Sequence, residues 1–249
     1  MTPGAPSQDL ALALDQARES ALASQIARRP ETLEEAQRTA QLLYERLRGR
    51  GARQVGWKLG ATDAAAQTKL GTDRPFLAPV HDVMSAPLGT PISRGRLIAP
   101  LLEVEIAVDL GGSSPALRPC AELADSRFPN WVSSLPEVIA DFGLQGLMLL
   151  GEPVAPVEAM AATVWRDDEL LATGTRTFAE ALALAELVEG RHGAFVATGT
   201  ITPPVPLTIG HWRIELGELG SIAFEVTPWR ASSTASARHS ALMAALVAA

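Results

Sequence analysis

The segment from Leu101 to Leu110 constrains the fold of this chain more than any other. Two sets of side chains alternate along it, one apolar and one acidic: Leu102, Val104, Ile106 and Val108 against Glu103, Glu105 and Asp109. A period of two places successive side chains on opposite faces of an extended backbone. The segment therefore predicts a β-strand with one apolar face for a core and one acidic face.

The acidic face of this strand has two interpretations. Side chains two residues apart point the same way, with their roots roughly 7 Å apart, so Glu103 and Glu105 can close on one hard cation. A half-buried strand whose charges face solvent explains the same pattern equally well. The alternation alone does not decide between a metal site and an ordinary amphipathic strand.

Length and composition exclude several classes of protein. A chain of 249 residues with 47% apolar residues can bury a sizeable core. The net charge of −7, without a basic cluster, argues against a nucleic-acid surface. The single cysteine, Cys120, fits a reducing compartment. No apolar run reaches the ~20 residues of a membrane span, and the start lacks a signal-peptide pattern, so we expect a cytoplasmic protein without membrane contact.

The order of predicted elements indicates an α+β fold. Helices are expected at 7–29 and, capped by Thr32, up to about Gly49. Many short strands with few crossover helices follow, which is typical of α+β rather than of a doubly wound sheet. Residues 117–124 read as a short helix.

Three regions follow from this pattern. We predict an N-terminal helical segment at 1–50, a β-rich catalytic domain at 51–230, and a C-terminal tail or docking helix at 231–249.

Candidate chemical groups are few. The four histidines are scattered and only one cysteine is present, which argues against a zinc site and leaves a carboxylate site for magnesium or manganese open. Lys58 lies in an apolar stretch between Gly56 and Gly60, where a ligand could approach the backbone closely. An exposed strand lysine is the alternative interpretation.

Several motifs resemble one family in order and spacing. Residues 56–62 (Gly-Trp-Lys-Leu-Gly-Ala-Thr) and 70–75 (Leu-Gly-Thr-Asp-Arg-Pro) resemble the Gly-x-Lys-x-Gly-x-Thr and Leu-Gly-x-Asp-x-Pro segments of the 2-keto-4-pentenoate hydratase / 4-oxalocrotonate decarboxylase group. That group belongs to the fumarylacetoacetate hydrolase superfamily. Residues 102–107 match its Glu-x-Glu strand, and 121–127 are similar to its Leu-Glu-x-x-x-Ser-Arg segment. The Thr-Gly pair at 198–199 matches a closing strand.

The resemblance implies a fold and a site. The fold would be a fumarylacetoacetate-hydrolase-like mixed β-roll or sandwich preceded by N-terminal helices. A divalent cation, Mg2+ or Mn2+, would be held by three carboxylates and would chelate a small 2-oxo acid substrate. Lys58 would support charge or proton transfer. The hydroxyl of a threonine and the backbone amide of a glycine would face the ligand. The implied metal ligands are Glu103, Glu105 and Glu122, and the implied substrate-binding residues are Thr198 and Gly199.

The activity implied by the resemblance is hydration of a 2-hydroxy-2,4-dienoate in aromatic catabolism. A 4-oxalocrotonate-type decarboxylase and a C–C hydrolase are alternatives in the same superfamily, and His81, in a predicted loop, is the candidate for hydrolase chemistry. The family forms oligomers, so a homo-oligomer is expected, as is a complex with a related decarboxylase or hydratase.

The sequence also departs from the family pattern. Active hydratases usually carry an acidic residue after the proline that corresponds to Pro75, whereas Phe76 follows it here. The serine of the family's Asn-x-Ser-x-Gly segment is replaced by Leu144. Two interpretations remain: an enzyme for a bulkier or more apolar keto acid, or a non-catalytic partner subunit or keto-acid-binding protein.

Overall fold

The computed structural model describes residues 5–23, 28–112, 114–131, 134–188 and 195–228. The predicted tail or docking helix at 231–249 lies outside this range. Within it, two β-sheets and five α-helices form the mixed architecture expected from the sequence. None of the helices in these ranges is both long and apolar enough to cross a membrane.

The larger sheet contains eight strands in the order β2-β1-β10-β5-β6-β7-β3, with β11 also paired to β5. These strands are β1 (Gln54–Gly60), β2 (Phe76–His81), β3 (Ser85–Ala86), β5 (Leu101–Asp109), β6 (Ala116–Ala124), β7 (Gln145–Leu150), β10 (Phe195–Ala197) and β11 (Val205–Pro206). Strand β10 runs parallel to β1 and antiparallel to β5. Only β10 therefore separates the strand that carries Lys58 from the strand that carries Glu103 and Glu105.

The smaller sheet has five strands in the order β4-β13-β12-β8-β9. They are β4 (Ile92–Ser93), β8 (Ala159–Arg166), β9 (Glu169–Thr177), β12 (Gly210–Glu215) and β13 (Ser221–Thr227). Pairs β8–β9 and β12–β13 are antiparallel hairpins.

The apolar face of β5 lies in the main core, together with apolar side chains of the smaller sheet. Four side chains of this face are fully buried: Leu102, Val104, Ile106 and Val108. Burying an aliphatic side chain of this size stabilises a fold by about 1.5–3 kcal/mol. The apolar half of the alternating segment therefore anchors β5 in the core, and its acidic half faces the opposite side of the sheet.

The described residues include five α-helices. They are α1 (Ala5–Ser20), α2 (Leu33–Gly49), α3 (Ala64–Leu70), α4 (Leu135–Ala140) and α5 (Phe178–Ala185). Helices α1 and α2 bury apolar faces in one cluster with Phe128 and Phe142. Helix α1 ends at Ser20, well before the predicted end at residue 29, because Ala21 has a φ of 55° that interrupts the helix.

The prediction of a helix at 117–124 was wrong. These residues belong to β6, which pairs with β5 from Leu101 opposite Ala124 to Asp109 opposite Ala116. Strand β6 is central and buried on both faces, so its sequence lacks the period-two pattern that reveals a half-exposed strand. Cys120 consequently lies in a strand and not in a helix.

Candidate metal centre

Three carboxylates converge on the face of the larger sheet that is opposite the main core. Glu103 and Glu105 project from β5, and Glu122 lies directly across from Glu103 on β6. One oxygen atom of each carboxylate lies within 4.8 Å of those of the other two. Glu105 and Glu122 are buried and Glu103 is partly buried. The acidic face of β5 is therefore not a solvated face at these positions.

Lys58 joins this cluster from β1. It is only 3% exposed, so the interpretation as an exposed strand lysine was wrong. Its Nζ donates one hydrogen bond to Oε1 of Glu122 and another, 2.8 Å long, to the carbonyl oxygen of Gly143. The ammonium group thus contacts one of the three carboxylates and the turn that precedes β7.

The segment after β10 borders the same cluster. The amide of Gly199 donates a 3.0 Å hydrogen bond to Oε2 of Glu105. The hydroxyl of Thr198 donates to the carbonyl oxygen of Ile106 at 2.8 Å. Gly199 has a φ of 82°, and a Cβ atom there would overlap the side chain of Thr62, so this turn requires glycine. Both residues therefore help to fix the Glu105 side of the cluster.

Arg176 of β9 supports this turn, and our sequence interpretation did not identify it. Its Nη1 donates to the carbonyl oxygens of Thr198 and Gly199, both at 2.8 Å, and its Nη2 donates to that of Thr200 at 3.1 Å. No sequence motif marks this residue, because its partners lie in a segment that approaches β9 only in three dimensions. The smaller sheet thereby holds a turn of the candidate centre.

Burial and mutual repulsion set the electrostatics of the cluster. Burial first, and then the charge of Glu122, raise the pKa of Glu103 to about 7. The same two causes raise the pKa of Glu105 well above its ordinary value. For Lys58, burial lowers the pKa, but attraction to Glu122, Glu105 and Glu103 outweighs it and the net shift is upward. The cluster thus combines three acidic groups with one ammonium group.

This arrangement fits a hard divalent cation. Oxygen Oε2 of Glu122 is buried and has no hydrogen-bond partner among the described residues. Three carboxylates against one lysine leave an excess of two negative charges when all four groups are ionised, and buried charges require compensation. Carboxylate oxygens are the preferred ligands of Mg2+, Ca2+ and Mn2+.

His81 has a different environment from the predicted one. It is fully buried at the end of β2, with ring centroids 5.4 Å from Tyr44 and 5.5 Å from Phe142. Burial, and then the nearby Arg18, lower its pKa to about 4, so its ring is neutral at pH 7. It is not part of the acidic cluster found among the described residues.

The two departures from the family pattern lie close to Lys58. A Cβ atom built on Gly143 would lie 2.8 Å from Cε2 of Phe76 and 3.4 Å from Cε of Lys58. The backbone of Leu144 follows directly, with a φ of 64°. The Phe76 ring thus lies against the same turn as Lys58, and Leu144 is the next residue of that turn.

Comparison with known proteins adds independent observations. No protein-family model matches the chain. Over 204 residues it is 30% identical to 2-keto-4-pentenoate hydratase 1 of Dechloromonas aromatica (strain RCB), covering 70% of this chain and 78% of the relative. Over 226 residues it is 28% identical to a 4-oxalocrotonate decarboxylase of a Pseudomonas species, covering 79% and 88%.

A solved structure shares the fold. The 4-oxalocrotonate decarboxylase of Pseudomonas putida G7, complexed with magnesium and adipate, superposes with a TM-score of 0.77 at 23% identity. The match covers 91% of this chain and 99% of that one. Together with the sequence relatives, this confirms the expected fold and shows that the chain belongs to the 2-keto-4-pentenoate hydratase / 4-oxalocrotonate decarboxylase group of the fumarylacetoacetate hydrolase superfamily.

Proposed function

We propose that this protein is a divalent-metal-dependent lyase that hydrates a 2-hydroxy-2,4-dienoate, a small 2-oxo acid in its enol form, in aromatic catabolism. The observation that carries the proposal is the convergence of three carboxylates around a buried lysine, in a chain whose relatives are named as hydratases and decarboxylases.

The proposed metal ligands are Glu103, Glu105 and Glu122. The unpartnered Oε2 of Glu122 and the excess negative charge support this assignment. Mg2+ is the preferred candidate because the decarboxylase neighbour was solved with magnesium, and a second structure of it with calcium. Mn2+ shares the preference for carboxylate oxygens and is the alternative.

Each residue of the centre has a proposed role. When bound, the cation would polarise the carboxylate and 2-oxo oxygens of the substrate and stabilise negative charge on them. Lys58 remains protonated because its pKa is raised, so it would supply positive charge beside the substrate. Thr198 and Gly199 are the proposed substrate-facing groups. Because both already donate hydrogen bonds within the protein, they exchange or share these bonds on ligand binding.

A direct assay tests the proposal. Metal-stripped protein is mixed with 2-hydroxypenta-2,4-dienoate, and loss of the dienol absorbance is followed with and without Mg2+. We expect turnover only with metal, its loss in Glu103→Gln, and its retention in the matched control Glu225→Gln, whose carboxylate is exposed on β13. Absence of turnover on every dienoate of five to seven carbons would count against hydratase function.

Decarboxylation is the second candidate, and it is motivated by a relative named 4-oxalocrotonate decarboxylase that is 28% identical over 226 residues. It would appear as metal-dependent release of carbon dioxide from 4-oxalocrotonate. The third candidate, a non-catalytic partner subunit or keto-acid-binding protein, is motivated by Phe76 and Leu144. Such a protein would be stabilised thermally by Mg2+ with oxalate, yet would turn over neither substrate. No described histidine joins the cluster to favour C–C hydrolysis.

The proposed setting is the cytoplasm, with the chain assembled as a homo-oligomer and able to associate with a related decarboxylase or hydratase. Light scattering of the purified protein measures the number of subunits in the homo-oligomer. Co-purification with a tagged decarboxylase or hydratase from the same cells tests the association with a related enzyme.

A further inference from the structure

Three consecutive residues in the turn before β7 have left-handed backbone conformations. The φ angles are 49° at Phe142, 63° at Gly143 and 64° at Leu144. Phe142 and Leu144 carry side chains, and the left-handed region is unfavourable for residues other than glycine. A run of this kind persists only where its surroundings hold it in place. We call residues 142–144 the left-handed turn.

Asp141 anchors the start of the left-handed turn. Its buried carboxylate accepts hydrogen bonds from the backbone amide of Arg127 at 2.9 Å and from Nε of Arg127 at 2.7 Å. Its carbonyl oxygen accepts from the amide of Leu144 at 2.9 Å. At the other end, the carbonyl oxygen of Leu144 accepts from the amide of Asp125 at 2.7 Å. The turn is therefore fixed at both ends.

Arg18 of α1 ties these two ends together. Its Nη1 donates a 2.6 Å hydrogen bond to the carbonyl oxygen of Gln145, just after the turn, and its Nη2 lies 3.4 Å from Oδ1 of Asp141, just before it. Arg18 also lines a cavity of about 800 Å³ between the helical layer and the edge of the larger sheet. One N-terminal side chain thus spans the base of the left-handed turn.

The left-handed turn also holds the ammonium group of Lys58 in place. The carbonyl oxygen of Gly143 accepts the 2.8 Å hydrogen bond from Nζ of Lys58. The space around Gly143 is tight, because an added Cβ atom would lie 3.1 Å from Cβ of Ala78 and 3.4 Å from Cε of Lys58. A displacement of the turn must therefore move the acceptor of the lysine ammonium group.

We infer that Arg18 is a positioning residue for Lys58: by bridging Asp141 and Gln145, it holds the left-handed turn in the conformation that presents the Gly143 carbonyl oxygen to the ammonium group. The consequence for catalysis rests on the proposed function. The N-terminal helix would thereby support the chemistry of the sheet without contributing one of the three converging carboxylates.

The test compares Arg18→Ala with Arg50→Ala. Arg50 lines the same cavity and pairs with Asp15, so its loss perturbs the contact between α1 and α2 without touching the left-handed turn. Turnover is measured as kcat and KM separately, Mg2+ affinity by calorimetry, and affinity for oxalate, a mimic of the enolate, in the presence of Mg2+.

For Arg18→Ala we expect kcat to fall about 10- to 100-fold, because displacements near 1 Å have effects of this size. Oxalate affinity should fall in parallel, while KM and Mg2+ affinity change less than about 2-fold. Guanidinium ion, which can enter through the cavity, should restore part of kcat. Arg50→Ala should keep its kcat and show no response to guanidinium.

Gly143→Ala provides a second route to the same conclusion, because it shifts the carbonyl acceptor without altering α1. It should reproduce the loss of kcat and of oxalate affinity without guanidinium rescue. The inference is overturned if Arg18→Ala retains wild-type kcat and oxalate affinity, or if it loses Mg2+ affinity as strongly as kcat. Wild-type protein that binds oxalate but turns over no substrate would defeat the proposed function, and the oxalate measurements would still decide the role of Arg18.

Discussion

Replacing Glu103 by glutamine should stabilise the metal-free protein at alkaline pH. Burial and the charge of Glu122 raise the pKa of Glu103 to about 7, from an ordinary value of 4.5. The folded state therefore holds this proton more tightly than the unfolded state does. The resulting stability is fully present below about pH 4.5 and is lost as the pH rises through about 7.

The magnitude follows from the size of the shift. A difference of about 2.5 pKa units, at about 1.36 kcal/mol each, corresponds to roughly 3 kcal/mol of stability lost by the wild type at pH 8. At pH 5 the corresponding loss is below about 1 kcal/mol. Glutamine carries no charge at either pH, so Glu103→Gln should gain up to about 3 kcal/mol over the wild type at pH 8 and little at pH 5.

Urea denaturation in the presence of a chelator, followed by tryptophan fluorescence, measures this difference. Glu225→Gln is the matched control, because this carboxylate is exposed, and its effect should be near zero at both pH values. Saturating Mg2+ should reverse the order, since only the wild type retains all three proposed ligands and gains the full binding free energy. An equal gain at pH 5 and pH 8, or a loss at pH 8, would refute the electrostatic reasoning.

Three further predictions concern groups around the centre. Lys58→Met should raise Mg2+ affinity in calorimetry, because it removes a positive charge next to Glu122, and should abolish turnover; weaker Mg2+ binding would contradict this. Arg176→Met should weaken Mg2+ binding or activity about 10- to 100-fold, as is typical of residues that support metal ligands, and unchanged values for both would argue against the support role. Gly174→Ala should lower the free energy of unfolding by about 1–3 kcal/mol, because its Cβ atom would overlap the carbonyl oxygen of Ile201; a neutral effect in urea denaturation would be inconsistent with this packing.

The local pattern of the sequence was sufficient to predict strand β5, because its period of two reflects one buried face. The same logic failed for β6, which is buried on both faces and has no such period. The family resemblance nevertheless predicted Glu122 as a metal ligand, because a sequence motif can be recognised even where the secondary structure is predicted wrongly. The pairing with Glu103 became visible only with the correct register.

Other parts of the centre had no signal in the sequence. Arg176 acts through backbone carbonyls, and any residue type can supply those. The left-handed turn was equally hidden, because Phe142 and Leu144 are not residues that favour a positive φ. Local propensity fails at such positions because tertiary contacts impose the conformation, and sites under this kind of strain are often functional.

The departures from the family pattern at Phe76 and Leu144 lie on the lysine side of the centre. The three glutamates lie on two paired central strands, β5 and β6, whose apolar side chains lie in the main core. Lys58, by contrast, depends on Gly143, and both departures lie in its immediate surroundings. A change there alters the environment of the lysine and the shape of the space beside it, whereas the positions of Glu103 and Glu122 follow from the pairing of β5 with β6. The pattern therefore favours altered substrate choice with retained metal binding over general loss of the site.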